Sequence, residues 1–132
     1  MSGITDLEQL LQSADPQLDS EEYVFVSTTA SYGDHADWQP LATFAEDEGL
    51  TFILRRSVAD SHSLDYEETF RRITLQVHSS LSAVGLTAAF SAALSEYDVS
   101  ANVMAAYYHD HIFVPAADAE RAMTALASLG SG

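Results

Sequence analysis

A change of hydrophobic period between Ile73 and Tyr97 constrains the fold of this chain more than any other feature. Ile73, Leu75 and Val77 alternate with polar residues, which is the two-residue period of a strand with one buried face. From Ala83 onward, apolar residues recur every three or four positions, the period of a helix that packs on a sheet. This stripe consists of Leu86, Phe90, Ala93, Leu94 and Tyr97. The segment therefore predicts a strand, a short polar loop and an amphipathic helix.

Two further strands and a helix are predicted after this segment. Runs rich in β-forming residues at 101–107 and 111–114 flank a polar turn at 108–110, and helical periodicity returns at 119–129. The resulting order is β-α-β-β-α. Paired strands interrupted by helices are typical of an α+β layer, in which an antiparallel sheet carries its helices on one face.

The N-terminal half gives a related pattern. Thr5 and Glu8 have the spacing of a capping box at the start of a helix. The predicted elements of this half are a helix that ends near residue 13, a strand at 22–28, a hairpin of 41–45 and 50–54 around the turn 46–49, and a short helix or turn at 57–63. We therefore expect two related subdomains, residues 1–64 and 65–132, which pack together because a core of about 65 residues is marginal alone.

The charge balance excludes several classes of partner. The chain has 20 Asp and Glu residues, five Arg residues and no Lys, for a formal net charge of -15. Phosphate backbones and anionic lipid surfaces would repel such a chain, so neither nucleic acid nor a membrane is an expected partner. At ~1 M ionic strength the Debye length falls to roughly 3 Å, which relieves the repulsion between exposed carboxylates. The composition therefore favours a halophilic source.

The remaining composition bears on compartment and chemistry. The chain has no cysteine, so disulfides, thiolate zinc sites and thiol nucleophiles are not expected. Its N-terminus lacks the basic flank and apolar run of a secretory signal, and no apolar run is long enough to cross a bilayer. We predict a cytoplasmic protein.

The stretch 74–103 resembles the core of an ACT domain. The points of match are a hydrophobic strand, a loop, Gly85 opening a helix, Leu94 late in that helix, and Asp98-Val99-Ser100 leading into the next strand. Residues 1–11, 22–26 and 105–115 are similar to small stand-alone tandem ACT proteins, and the C-terminal half is similar to the ACT repeats of the CASTOR arginine sensors. The resemblance implies two ACT-like, ferredoxin-like subdomains. It also implies a non-enzymatic regulatory protein that binds an amino acid in a groove between subdomains or between protomers.

The residues themselves also favour a site at this junction. The first backbone N–H groups of a helix lack intrahelical partners and favour an anion such as an α-carboxylate, and Gly85 permits close approach. Asp98 or Asp110 could pair with an ammonium group. The candidate ligand-binding residues are His78, Ser79, Ser80, Val84, Gly85, Leu86, Thr87, Tyr107 and His109. The alternative is that Gly85 serves packing alone and the serines cap the helix.

Competing chemistry receives less support. The run His109-Asp110-His111, with Asp34, His35 and Asp37, has donor types that bind metals, but two solvated turns have the same composition; we predict no metal and no cofactor. His78 beside Ser79 lacks the turn and the third group of a catalytic triad. We predict that the protein is not an enzyme. The alternative functions are a ligand-free protein–protein interaction module and a His-dependent metal-binding protein.

Two further expectations concern packing. The basic pairs Arg55-Arg56 and Arg71-Arg72 are predicted to pair with the abundant carboxylates, and Trp38 is predicted to anchor a loop in the core. Since sheets of this kind have open edges, a homodimer is also expected.

Overall fold

A computed structural model of the chain describes residues 14–31, 33–76 and 83–130. Within these ranges it contains six strands and three helices, together with short 3₁₀ turns. In chain order the elements are β1 (Gln17–Thr28), β2 (Ala42–Glu46), β3 (Gly49–Arg55), α1 (Arg56–Ser61), β4 (Phe70–Leu75), α2 (Ala83–Glu96), β5 (Asn102–Ala105), β6 (Asp110–Pro115) and α3 (Ala119–Gly130). The predicted α+β fold class is confirmed. The helix predicted before residue 13 lies outside the described residues.

The strands form a six-stranded antiparallel sheet in the order β2-β3-β1-β4-β6-β5. The register places Val24 of β1 opposite Leu54 of β3, and Thr43 of β2 opposite Phe52 of β3. At the other end of the strand order, Met104 of β5 lies opposite His111 of β6. Strands β2 and β5 are therefore the two edges.

Two strands begin well before their predicted first residues. Strand β1 begins at Gln17 instead of residue 22, and β4 begins at Phe70 instead of Ile73. At the start of β1 the prediction was wrong because Asp, Ser and Glu have low strand propensity, whereas long-range contacts hold this part of β1 in place. The Asp19 carbonyl oxygen accepts a hydrogen bond from Arg71 Nε at 2.8 Å.

The described residues cluster into two compact units. The larger unit consists of residues 14–19 and 71–130, and the smaller unit consists of residues 20–70. Strands β1 and β4 each contribute residues to both units. The domain boundary between residues 64 and 65 stays a prediction.

The core of the larger unit lies between one sheet face and two helices. Its strands contribute Ile73 and Leu75 from β4, whose side chains share a face because they are two residues apart. The side chains packed around them are Phe90 and Leu94 of α2, Ile112 and Val114 of β6, and Ala122, Ala125 and Leu126 of α3. Each fully buried aliphatic side chain of this kind contributes about 1.5–3 kcal/mol. Phe90 and Leu94, two members of the helical stripe predicted from the sequence, thus lie on the packing face of α2.

The smaller unit has its own core. Alternating residues of β1 and β3 contribute to it, and Trp38 and Ala59 pack on them; the strand residues are Val24, Val26, Leu50, Phe52 and Leu54. Trp38 is only 6 % exposed, and its ring centroid lies 5.3 Å from that of Phe52. The predicted role of Trp38 as a loop anchor is confirmed.

The hairpin of β2 and β3 reverses at Asp47 and Glu48, within the predicted turn. Gly49 follows with φ 146°, and a Cβ at this position would collide with the carbonyl oxygen of Thr28. Only glycine allows β3 to begin this close to β1.

Arginines pair with carboxylates as predicted. Arg55 pairs with Glu21, Arg56 with Glu22 and Asp60, and Arg72 with Asp19. Arg71 differs, since its Nε donates to a backbone carbonyl oxygen.

No helix within residues 14–31, 33–76 and 83–130 combines the length and the apolar character needed to cross a bilayer.

Candidate functional site

One end of the sheet in the larger unit brings together the end of β4, the start of β6 and the chain that leads into β1. Thr74 of β4 and His111 of β6 share a side-chain hydrogen bond of 3.0 Å between Oγ1 and Nδ1. Because the strands are antiparallel, the end of β4 lies beside the start of β6. The Gln76 backbone N–H donates to the Ala14 carbonyl oxygen at 2.7 Å, so the chain leading into β1 reaches the same end. The β5–β6 turn therefore lies where β4 leaves the sheet.

The β5–β6 turn holds two of the predicted ligand-binding residues. Tyr107 is 84 % exposed, and its ring contacts Tyr108 edge to face at 4.9 Å. His109 is half-buried, and its buried Nδ1 has no hydrogen-bond partner among the described residues. Its ring lies 6.5 Å from that of His111. The turn thus presents an exposed aromatic surface beside an imidazole nitrogen that is shielded from water.

Helix α2 begins at Ala83, so Val84, Gly85 and Leu86 all belong to its first turn. Thr87 follows and is half-buried. The first turn carries no acidic residue, although the chain has 20 of them. The backbone N–H groups of this turn are thus not opposed by a carboxylate on the turn itself, an arrangement that favours an anionic ligand group.

The other predicted residues of this site are His78, Ser79 and Ser80, and they lie outside the described residues. The structure therefore brings together Tyr107 and His109 on one turn, and Val84 to Thr87 on one helix. Their assignment as ligand contacts stays a prediction.

Asp98 was predicted as a partner for an ammonium group, and the structure places it at the wrong end of α2. It follows the last turn of the helix with φ 59°, and its carbonyl oxygen accepts a hydrogen bond from Arg121. A helix of 14 residues separates its ends by about 21 Å. Asp98 cannot reach a ligand at the first turn of the same helix. Asp110, at the start of β6, lies beside the end of β4.

Burial is the largest influence on the pKa of His111 at this sheet end. Burial lowers the pKa of His111, and the charges of Arg72 and His109 lower it further, while Asp110 acts in the opposite direction. The pKa of His111 is thus below its ordinary value, which favours the neutral imidazole.

The metal interpretation would require several ligand side chains to converge. In the part of the chain that the structure describes, no three His, Cys, Asp or Glu residues form such a group. His35, one of the proposed ligands, stacks on Trp38 at a centroid distance of 3.8 Å.

A second concave site lies in the smaller unit, and the sequence interpretation missed it. It is a pocket of about 390 Å³. The residues that line it are Gly33, His35, Ala36, Pro40, Leu41, Ala42, Thr43, Leu50 and Phe52. The available signal was the connection between β1 and β2, which is long but lacks the helical periodicity seen at the corresponding place in the second half.

Family comparisons agree with the fold. Family models described as ACT domain match residues 2–71 and residues 67–128. The chain belongs to the ACT domain family. Its two ACT repeats follow one another in tandem, as the resemblance implied.

A solved structure with high similarity to this chain is that of a Vibrio cholerae protein of unknown function, described as a possible transport protein. It is 47 % identical, the alignment covers 97 % of this chain and 98 % of the other, and the TM-score is 0.88. No curated protein matches the chain.

More distant structures show the same fold. The regulatory subunit of aspartate kinase from Thermus flavus has a TM-score of 0.61 at 12 % identity, covering 86 % of this chain and 95 % of that subunit. The ligand-free subunit from Thermus thermophilus has a TM-score of 0.64 at 11 % identity, covering 89 % and 97 %. ACT domains are regulatory modules and not catalytic ones. The family therefore supports a regulatory, ligand-binding role for this chain.

Proposed function

We propose that this tandem ACT protein is a non-enzymatic regulatory protein that binds an amino acid at the first turn of α2. The observation that carries the proposal is the start of α2 at Ala83, within the second ACT repeat and after β4 ends at Leu75. The α-carboxylate of the ligand would accept hydrogen bonds from the backbone N–H groups of Val84 and Gly85, which precede the first intrahelical donors of α2. Gly85 would let the ligand approach the backbone closely.

The remaining contacts would come from the loop and from the neighbouring turn. His78, Ser79 and Ser80 would supply polar groups, and Tyr107 or His109 would form a wall. Support for the second part comes from the Thr74–His111 hydrogen bond, which fixes the β5–β6 turn at the end of β4. Asp110 is the carboxylate of this sheet end that could pair with the ligand ammonium group.

We further propose that a second copy of the chain closes the groove. Edge strand β5 is exposed over Asn102 and Val103, and an unpaired edge can add a strand from another molecule. The site would then be complete only in a homodimer, and ligand binding would strengthen dimer formation by linkage. The acidic, cysteine-free composition supports the cytoplasm of a halophile as the setting.

Thermal shift with each of the twenty amino acids, in molar salt, tests this proposal. We expect one or a few amino acids to raise the melting temperature selectively. Gly85→Leu should abolish that shift, because the added side chain would occupy the space the ligand needs. The matched control is Ala92→Leu, an exposed position on the same helix, which should keep the shift.

If none of the twenty amino acids raised the melting temperature, the amino-acid proposal would be overturned. It would favour the second candidate, a ligand-free interaction module. The observation behind this candidate is the exposure of apolar side chains on both edge strands, Phe44 on β2 and Val103 on β5. If Gly85→Leu kept a selective rise in melting temperature, the amino acid would bind somewhere other than the first turn of α2.

A further inference from the structure

The two units cover their sheets differently. In the larger unit, α2 and α3, of 14 and 12 residues, pack on the core face of the strands. In the smaller unit the only helix among the described residues is α1, of six residues, which extends over about 9 Å. Strand β3 has seven residues and extends over roughly 23 Å. Helix α1 is therefore too short to cover the whole of β3.

The uncovered end of β3 is where the pocket lies. Helix α1 follows β3 directly, so it lies near Leu54, whereas Leu50 is at the other end of the strand. The described part of the connection between β1 and β2 contributes only a three-residue 3₁₀ turn, Ala36–Trp38. Leu50 and Phe52 line the pocket from the strand, and Pro40 and Leu41 line it from the connection.

Size and composition make this pocket suitable for a small molecule. Its volume of about 390 Å³ falls within the range of about 300–1,000 Å³ that is typical of ligand sites. Most lining residues are apolar, and the polar side chains among them are the Thr43 hydroxyl and the His35 imidazole. An apolar pocket with a few polar groups orients a ligand without requiring that it be charged.

Charge restricts the class of ligand. No arginine lines the pocket, and the chain has no lysine. The turn that carries His35 also carries the exposed carboxylates Asp34 and Asp37, within a chain of net charge -15. A carboxylate or phosphate ligand would meet repulsion here, whereas a neutral or cationic group would not.

We propose that this pocket is a second ligand site, for a small neutral or cationic molecule with an aromatic or aliphatic body. The body packs on Leu50, Phe52 and Leu41, and the polar end of the molecule lies toward His35 and Thr43. This site belongs to the first ACT repeat and is separate from the amino-acid site proposed at α2. It does not depend on that proposal.

The fluorescence of Trp38 can report ligand binding in this pocket. It is the only tryptophan of the chain, and its ring is parallel to that of His35 within 9°, at 3.8 Å. A ligand that contacts His35 should change the Trp38 emission. We would titrate 2-phenylethylamine, 2-phenylethanol and phenylacetate, which share one body and differ in charge, at the lowest salt at which the protein is folded. We expect saturable changes for the amine and the alcohol, and affinity for phenylacetate at least fivefold weaker than for the amine.

Paired variants on β2 control the experiment. Thr43 faces Phe52 across the hairpin, whereas Phe44 faces Thr51 and points to the other side of the sheet. Thr43→Leu should weaken binding of the amine at least fivefold by filling the pocket, and Phe44→Leu should leave it unchanged. Amide chemical-shift changes in the unmodified protein give a readout independent of any variant, and we expect them at residues 33–43 and 50–52.

The proposal would be overturned if no probe gave a saturable change, if phenylacetate bound most tightly, or if the chemical-shift changes were centred on α2. If Thr43→Leu does not fold, the chemical-shift map of the unmodified protein decides the question alone. Equal binding by Thr43→Leu and Phe44→Leu would also contradict the site.

Discussion

Thr74 Oγ1 and His111 Nδ1 lie 3.0 Å apart and join β4 to β6 through their side chains. Burial and the charges of Arg72 and His109 lower the pKa of His111, and the opposing effect of Asp110 is smaller. The folded protein therefore takes up a proton at this site less readily than the unfolded chain does. The lowered pKa of His111 makes the stability of the protein depend on pH.

We expect stability to fall as the pH is lowered through about 6.5, the ordinary pKa of histidine. Because the pKa of His111 is lower in the folded state, the unfolded state binds more protons in this window, so the free energy of unfolding rises with pH. The effect is absent at higher pH, where the imidazole is neutral in both states. Denaturant unfolding between pH 5 and 7.5 should show a shallower dependence for His111→Asn, and equal slopes would contradict the prediction.

Gly49→Ala should destabilise the protein more than Gly33→Ala. Both glycines have positive φ, so each substitution has a backbone cost of order 1–3 kcal/mol. At Gly49 the new methyl group also collides with the Thr28 carbonyl oxygen, while at Gly33 it meets nothing within 4 Å. The collision should add about 1–3 kcal/mol. Denaturant unfolding of the two variants measures the difference, and equal losses would show that β3 can move away from β1.

Asp19→Ala should cost more stability than Glu21→Ala, although both residues lie on β1 and both pair with an arginine. The Asp19–Arg72 pair is 2.8 Å long with side chains 18 % and 23 % exposed, whereas the Glu21–Arg55 pair is 3.6 Å long with side chains about half exposed. We expect a loss of about 1.5–3 kcal/mol for the charged hydrogen bond of Asp19 and within about 1 kcal/mol for Glu21. Chemical denaturation in the same salt compares them.

Salt should stabilise the protein. With a net charge of -15, repulsion between carboxylates opposes the compact state, and molar salt screens it by reducing the Debye length to about 3 Å. The melting temperature should rise from dilute buffer to 1 M KCl. A melting temperature that stays constant or falls would remove the argument for a halophilic source.

Local sequence predicted the elements whose period is set by burial on one face. Leu50, Phe52 and Leu54 alternate through β3, and the apolar stripe through Phe90 and Leu94 marks α2. In each case the pattern reflects the contact of one face with a core. The β2–β3 turn could also be predicted from the sequence, because Gly49 adopts a positive φ that other residues avoid.

Features that depend on residues far apart in the sequence could not be predicted from local patterns. The start of β1 has a polar sequence, and it is held by contacts of Asp19 with Arg71 and Arg72, more than fifty positions away. Asp98 is near the predicted site in the printed sequence, but the length of α2 separates it from that site. The pocket beside Leu50 lies where α1 is too short to cover β3. The hydrophobic period of a strand does not show which part of it a helix covers.

The path of β1 limits how this protein could have diversified. Ala14 is buried in the core of the larger unit, and Asp19 bonds to Arg71 and Arg72 there, although both belong to the first ACT repeat. A second repeat copied alone into another gene would leave these partners behind. The second repeat alone would therefore be less stable than the same residues are within the full chain.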